Sequence, residues 1–169
     1  MDGWRRWLLA PGILCAFALH VEVARQFSAY GEHVEPYLDI VADMKPQSTF
    51  MPLDLDNSYP GTRERTLGQL HGYAAALTSS YDPHLFNHPN SPLVFRNDRI
   101  PPYPNWFNLR TFSMEKHGRY YDYIIVHPKH RDPLYEQRDR LGLSLIREAG
   151  AWRLYKVVSK KEWPPSDQR

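Results

Sequence analysis

Hydrophobic positions divide the chain into an apolar leader and a longer part in which apolar and polar residues recur with recognisable periods. Trp7 to Ala18 reads WLLAPGILCAFA without a charge, Arg5 and Arg6 precede it, and the apolar character continues to Val23. As a helix, residues 7–23 would be about 26 Å long, just short of a hydrocarbon core of about 30 Å. Three readings of this segment stay open. It suits a signal anchor or the last helix of a larger membrane protein; a cleaved signal, for which Ala16 and Ala18 supply an A-x-A pattern; or a buried soluble helix. Under the first two, Arg5 and Arg6 stay on the cytoplasmic side and everything beyond Arg25 lies outside.

From Val23 to Met44, Phe27, Tyr30, Val34, Leu38 and Val41 recur at helical spacing, and Pro36 predicts a kink or restart. Ser48 to Leu55 reads as a strand, over Thr49 to Leu55, that Pro52 pushes toward a sheet edge or a bulge. Leu67, Leu70, Tyr73, Ala74 and Leu77 predict a short amphipathic helix ending near Ser79, with Thr66 as its cap. Six prolines between Tyr81 and Pro104 predict an extended, pinned segment with at most a short strand at Leu93 to Phe95. Tyr120 to His127 holds the clearest strand, Tyr121 to Val126, and a nearly continuous aromatic and β-branched run places it centrally in a sheet. Asp132 and Pro133 are expected to open a short charged helix to Leu141. Leu143 to Arg147 and Trp152 to Val158 alternate around Glu148-Ala149-Gly150-Ala151, a hairpin pattern.

The predicted fold class is therefore α/β: a small mixed sheet with flanking helices and a C-terminal β-hairpin, preceded by an N-terminal apolar, membrane-type helix. The expected boundaries are residues 1–24 for the apolar segment, 25–158 for the α/β domain and 159–169 for a flexible tail.

Composition sharpens this in a few respects. The chain has 169 residues, about one domain, with 42% hydrophobic and 24% charged residues, which excludes wholesale disorder. A net charge of +2 leaves no electrostatic footprint for nucleic acid. The single cysteine, Cys15, lies in the apolar run, so no intrachain disulfide framework exists.

Candidate chemistry is sparse. His84 and His88 are four apart and His127 and His130 three apart, but both pairs sit among prolines, where helical spacing does not converge ligands; solvent-facing or locally hydrogen-bonded loop histidines are expected, with no metal and no cofactor. Asp54 and Asp56 flank Leu55, and period-two spacing would put both carboxylates on one face, where they could share a proton or a cation; acids leading into a loop more often cap and turn it. Nucleophile elbows and phosphate loops have no match. Tyr103, Trp106, Phe107, Tyr120, Tyr121 and Tyr123 could line a sugar-stacking face, against the commoner role of core anchors.

Three stretches carry a resemblance. The helix leading into MKPQSTFMPLDLD, the block LGQLHGYAAALTSSYDPHLFNHPNSPLVFR, and YYDYIIVH followed by LSLIREAGAWRLYKV together resemble the carboxy-terminal extracytoplasmic domain of bacterial multi-pass, GT-C-like membrane glycosyltransferases that use lipid-linked sugars. The similarity runs over roughly Phe27 to Val158. Those proteins carry their catalytic acids in early extracytoplasmic loops that have no counterpart here, so the resemblance implies a domain without its catalytic body. His71 and Tyr73 are the matching positions for binding, and Asn87 and Arg96 of the same block join Asp54 and Asp56 as ligand-binding candidates.

The expectation is a membrane-anchored extracytoplasmic domain, an accessory or truncated portion of a glycosyltransferase-like protein. It would be held to lipid through residues 7–23 and would serve a membrane-protein partner or a glycan. The alternatives are a small soluble ligand-binding protein or enzyme using a His/Asp/aromatic pocket, and a remnant that keeps a fold without a function.

Overall fold

A computed structural model describes residues 3–56, 70–84, 100–105 and 108–163. The short strand expected at Leu93 to Phe95, together with Asn87, His88, Arg96, Trp106 and Phe107, lies outside them. The chain divides into two compact units, Met1–Glu35 and Pro36–Arg169.

The first unit is helical, the opening part of α1 (Gly3–Val41). Its apolar side chains are exposed, including Ile13, Leu14, Phe17, Leu19, Val21, Val23 and Phe27. At 100° per residue these positions cover about 220° of the circumference, and the exposed Cys15 and Ala18 fall in the remaining arc, so no single stripe is set aside for a core. Among the described residues, no helix is long and apolar enough to cross a membrane.

The second unit is the predicted α/β fold. Strands β1 (Phe50–Asp54), β2 (Tyr123–His127), β3 (Leu143–Ala149) and β4 (Trp152–Val157) form one mixed sheet in the order β1-β2-β4-β3. β1 runs parallel to β2, whereas β2 with β4 and β4 with β3 are antiparallel. Pro52 sits in β1 at the sheet edge, where a missing N–H removes little from the ladder. The central position expected for the YIIVH run is β2, whose residues are buried throughout. β3 and β4 form the predicted hairpin, with a register irregularity between Leu145 and Arg147.

Alternation along the strands distributes the core to two faces. Met51, Leu53, Ile124, Val126, Tyr155 and Val157 join Tyr121, Leu134 and Leu143 in one cluster. On the opposite face, Tyr37 and Leu70 meet Pro52, Asp54, Ile125 and Trp152 around a small cavity. Asp122 locks the entry to both parallel strands. One of its carboxylate oxygens accepts from the Thr49 N–H and hydroxyl, each at 2.8 Å, and the other from Lys160 Nζ at 2.8 Å. Burial pushes this carboxyl upward, yet the hydrogen bonds from Lys160 and Thr49 outweigh it and hold it below the usual carboxylate range.

Three helical expectations need correction. Pro36 does not break α1, which continues to Val41. The buried positions of its last turns and exit are Tyr37, Ile40, Val41 and Met44, whereas Phe27 and Leu38 are exposed. Of the predicted stripe Val41 is buried, and the packing of Tyr37, Ile40, Val41 and Met44 offsets the one backbone donor that Pro36 removes. In α2 (Leu70–Thr78) the buried stripe is Leu70, His71, Ala74, Ala75 and Thr78, leaving Tyr73 and Leu77 exposed. The charged segment after Pro133 holds only a single 3-10 turn, Tyr135–Gln137, although Asp132 Oδ1 does accept from Leu134 N at 2.8 Å.

Candidate functional site

One group of buried polar residues lies at the carboxyl ends of β1 and β2. Asp54 and His127 are register partners, the last pair of the two parallel strands. Their side chains therefore stand side by side on one face of the sheet, and His127 Nδ1 lies 2.8 Å from Asp54 Oδ1. Both residues are buried. The His127 ring stacks on the Trp152 indole of β4, with centroids 4.1 Å apart and planes 16° from parallel. Tyr37, from α1, packs edge-on against the same indole at 4.7 Å.

A second His/Asp pair lies nearby. His71 projects from the buried stripe of α2, and its Nδ1 contacts Asp82 Oδ2. Asp82 follows the turn that ends the helix, where Ser79 adopts a left-handed φ of 51°. Its other oxygen accepts from His84 N at 2.8 Å, closing a local turn. The His84 ring is set edge-on to His71 and to Tyr103. Burial pulls the His84 imidazole down to about 4, against the upward pull of Asp82, so His84 is neutral at pH 7. Burial and the Asp82 charge push the Tyr81 phenol up to about 12.

Between the two pairs is a small cavity of about 10 Å³, lined by Tyr37, Asp54, His71 and Trp152 among apolar neighbours. Three of these residues carry a buried polar atom without a hydrogen-bond partner among the described residues: Tyr37 Oη, Asp54 Oδ2 and Trp152 Nε1. A hydroxyl, an indole N–H and a carboxylate oxygen around so small a space match the needs of one water molecule. Organic ligands need pockets of roughly 300–1,000 Å³. A His/Asp pair can orient an imidazole for proton transfer; among the described residues that line this cavity there is no Ser, Thr or Cys to serve as its nucleophile. Among the described residues, no group of three or more His, Cys, Asp or Glu could hold a metal ion.

Of the residues singled out from the sequence, Asp54 and His71 meet at this cavity. Tyr73 does not reach it; it is 61% exposed on α2. Asp56 lies past the end of β1, so strand alternation does not extend to it, and the partner of Asp54 is His127 instead of a second carboxylate. His127, expected as a loop histidine, is a strand residue and only 3% exposed. Asp82, Tyr37 and Trp152 escaped notice in the sequence. The available clue was the uninterrupted strand run into His127, which sets that residue opposite Asp54 once the two strands are paired in parallel.

Of the six aromatics proposed for a sugar-stacking face, Trp106 and Phe107 lie outside the described residues. Tyr121 and Tyr123 are buried in the core, and the Tyr121 hydroxyl is set against the Pro101 and Pro102 carbonyls at 3.2 and 3.3 Å. Compared with known protein families, curated proteins and solved structures, the chain matches none.

Proposed function

We propose that this chain is a membrane-anchored extracytoplasmic domain, an accessory portion of a glycosyltransferase-like membrane protein with no catalytic centre of its own. The observation that carries it is the all-round exposure of apolar side chains on the first part of α1, from Ile13 to Val23. An exposed helix of this kind is stabilised by lipid, because water solvates none of its faces well. The α/β unit, by contrast, buries its own core from Tyr37 onward. A run of about 26 Å is seated in a bilayer by modest local thinning, at a fraction of a kcal/mol per Å of mismatch. Arg5 and Arg6 set the orientation with the amino terminus cytoplasmic. The glycosyltransferase association rests on the resemblance of the three sequence blocks, and the partner it implies is a membrane protein or a glycan. The soluble ligand-binding alternative would need a larger pocket than the one at Asp54 and His71.

Membrane fractionation of the full chain carrying alkaline phosphatase after Arg169 tests this. The expected result is a carbonate-resistant membrane pellet with active phosphatase. A soluble fusion with inactive phosphatase would refute it. Replacing Leu14 and Phe17 by Asp, at a cost of roughly 3 kcal/mol per buried charge, is expected to release the protein from the pellet.

A further inference from the structure

A groove of about 770 Å³ opens at the carboxyl ends of β1 and β2, on the side of the sheet opposite the Asp54 cavity. Its volume lies in the range of small-molecule sites. Leu55, Phe112, Met114 and Leu141 supply an apolar floor, and Arg110, Lys129 and Arg131 a cationic rim. No acidic side chain is among the described residues that line it. Arg131 is neutralised by Glu136, which stands outside the groove, whereas Arg110 and Lys129 make no ion pair among the described residues.

Two physical features select the occupant. An open apolar floor of this size favours a flexible hydrocarbon chain, which follows an irregular groove without leaving polar groups unpaired. A rim with two cations and, among the described residues, neither an ion-pair partner for them nor an acidic lining residue favours a negatively charged head. The carboxyl ends of adjacent parallel strands are also where open α/β sheets commonly present ligands. We propose that this groove binds a single-chain carboxylate amphiphile, with the acyl chain along Leu55, Phe112, Met114 and Leu141 and the carboxylate held by Arg110 and Lys129. This goes beyond membrane anchoring and does not depend on it.

The test is photo-cross-linking of the full chain with a diazirine-bearing palmitate, mapped by mass spectrometry. The chain is used in zwitterionic nanodiscs if it sediments with membranes and in buffer if it does not, so failure of the anchor and failure of the groove are told apart. Saturable labelling of Phe112, Met114 or Leu141 is expected, displaced by unlabelled palmitate and not by hexadecanol. In the double variant Arg110→Ser/Lys129→Ser, groove labelling should fall about tenfold while labelling of residues 7–23 stays constant. Both positions are exposed, and an unchanged melting temperature checks that the variant is folded. Labelling confined to the helix, equal displacement by hexadecanol, or undiminished labelling of the folded double variant would each overturn the proposal.

Discussion

His127 stacks flat on Trp152 at 4.1 Å while its Nδ1 meets Asp54 at 2.8 Å, so one imidazole joins the sheet's central strand to both of its neighbours. The pair is buried, and removing one member takes this hydrogen bond from the other. Asp54→Ala is expected to cost about 1–3 kcal/mol. His127→Phe, which keeps a ring against Trp152, should cost a similar amount. Urea denaturation of both single variants and the double variant should give a coupling energy of at least about 0.5 kcal/mol; additive losses would show that the contact contributes nothing specific.

The cavity beside this pair is expected to hold one ordered water. A high-resolution crystal structure should show it within hydrogen-bond distance of Tyr37 Oη, Trp152 Nε1 and Asp54 Oδ2. Tyr37→Phe, which removes one of its donors, should lower stability by about 1 kcal/mol. Featureless density in the cavity would contradict this.

Burial of His84 makes stability depend on pH. Its folded value of about 4 lies below the ordinary 6.5, so the unfolded chain binds more protons between these values. The stabilisation from keeping His84 neutral is fully present above pH 6.5 and is lost as pH falls toward 4, an effect of about 3 kcal/mol. His84→Asn should flatten the profile in this window by that amount. Unfolding free energies of both proteins at pH 7, 5.5 and 4.5 check it, and parallel profiles would assign the pH dependence to other groups.

Gly150 turns the β3–β4 hairpin with φ of +55°, and a Cβ there would come within 3.2 Å of Pro36 Cβ. Gly150→Ala therefore combines left-handed strain with crowding against α1. A loss of about 1–2 kcal/mol is expected, seen as a lower melting temperature with native far-ultraviolet circular dichroism. Unchanged melting would mean that the turn relaxes freely.

The strands were legible in the sequence because their signals are local. Tyr123 to Val126 is apolar on consecutive positions, which only a doubly covered strand tolerates, and Pro52 marks an edge through its missing donor. The hairpin around Gly150 follows from alternation on either side of a turn. The helical stripes were less legible. Phe27, Tyr30, Val34 and Leu38 fall at helical spacing as Tyr37, Ile40, Val41 and Met44 do, and spacing carries no information about which stripe becomes buried. The cavity site was half legible: Asp54 stood out as an acid at the end of a predicted strand and His71 through the resemblance of its block, whereas His127 looked like part of the proline loop that follows it.

By itself, the sequence determined that the chain is α/β with a helix before the sheet, and where the four described strands run, because side-chain periodicity and backbone restrictions act over a few residues. Only the tertiary structure decided that β1 and β2 pair in parallel with Asp54 opposite His127, that α2 turns His71 inward and Tyr73 outward, and that Tyr37 and Trp152 close the cavity between them. These are contacts between segments up to about a hundred residues apart. They are set by which faces can be buried together, a property of the packed whole that no local pattern encodes.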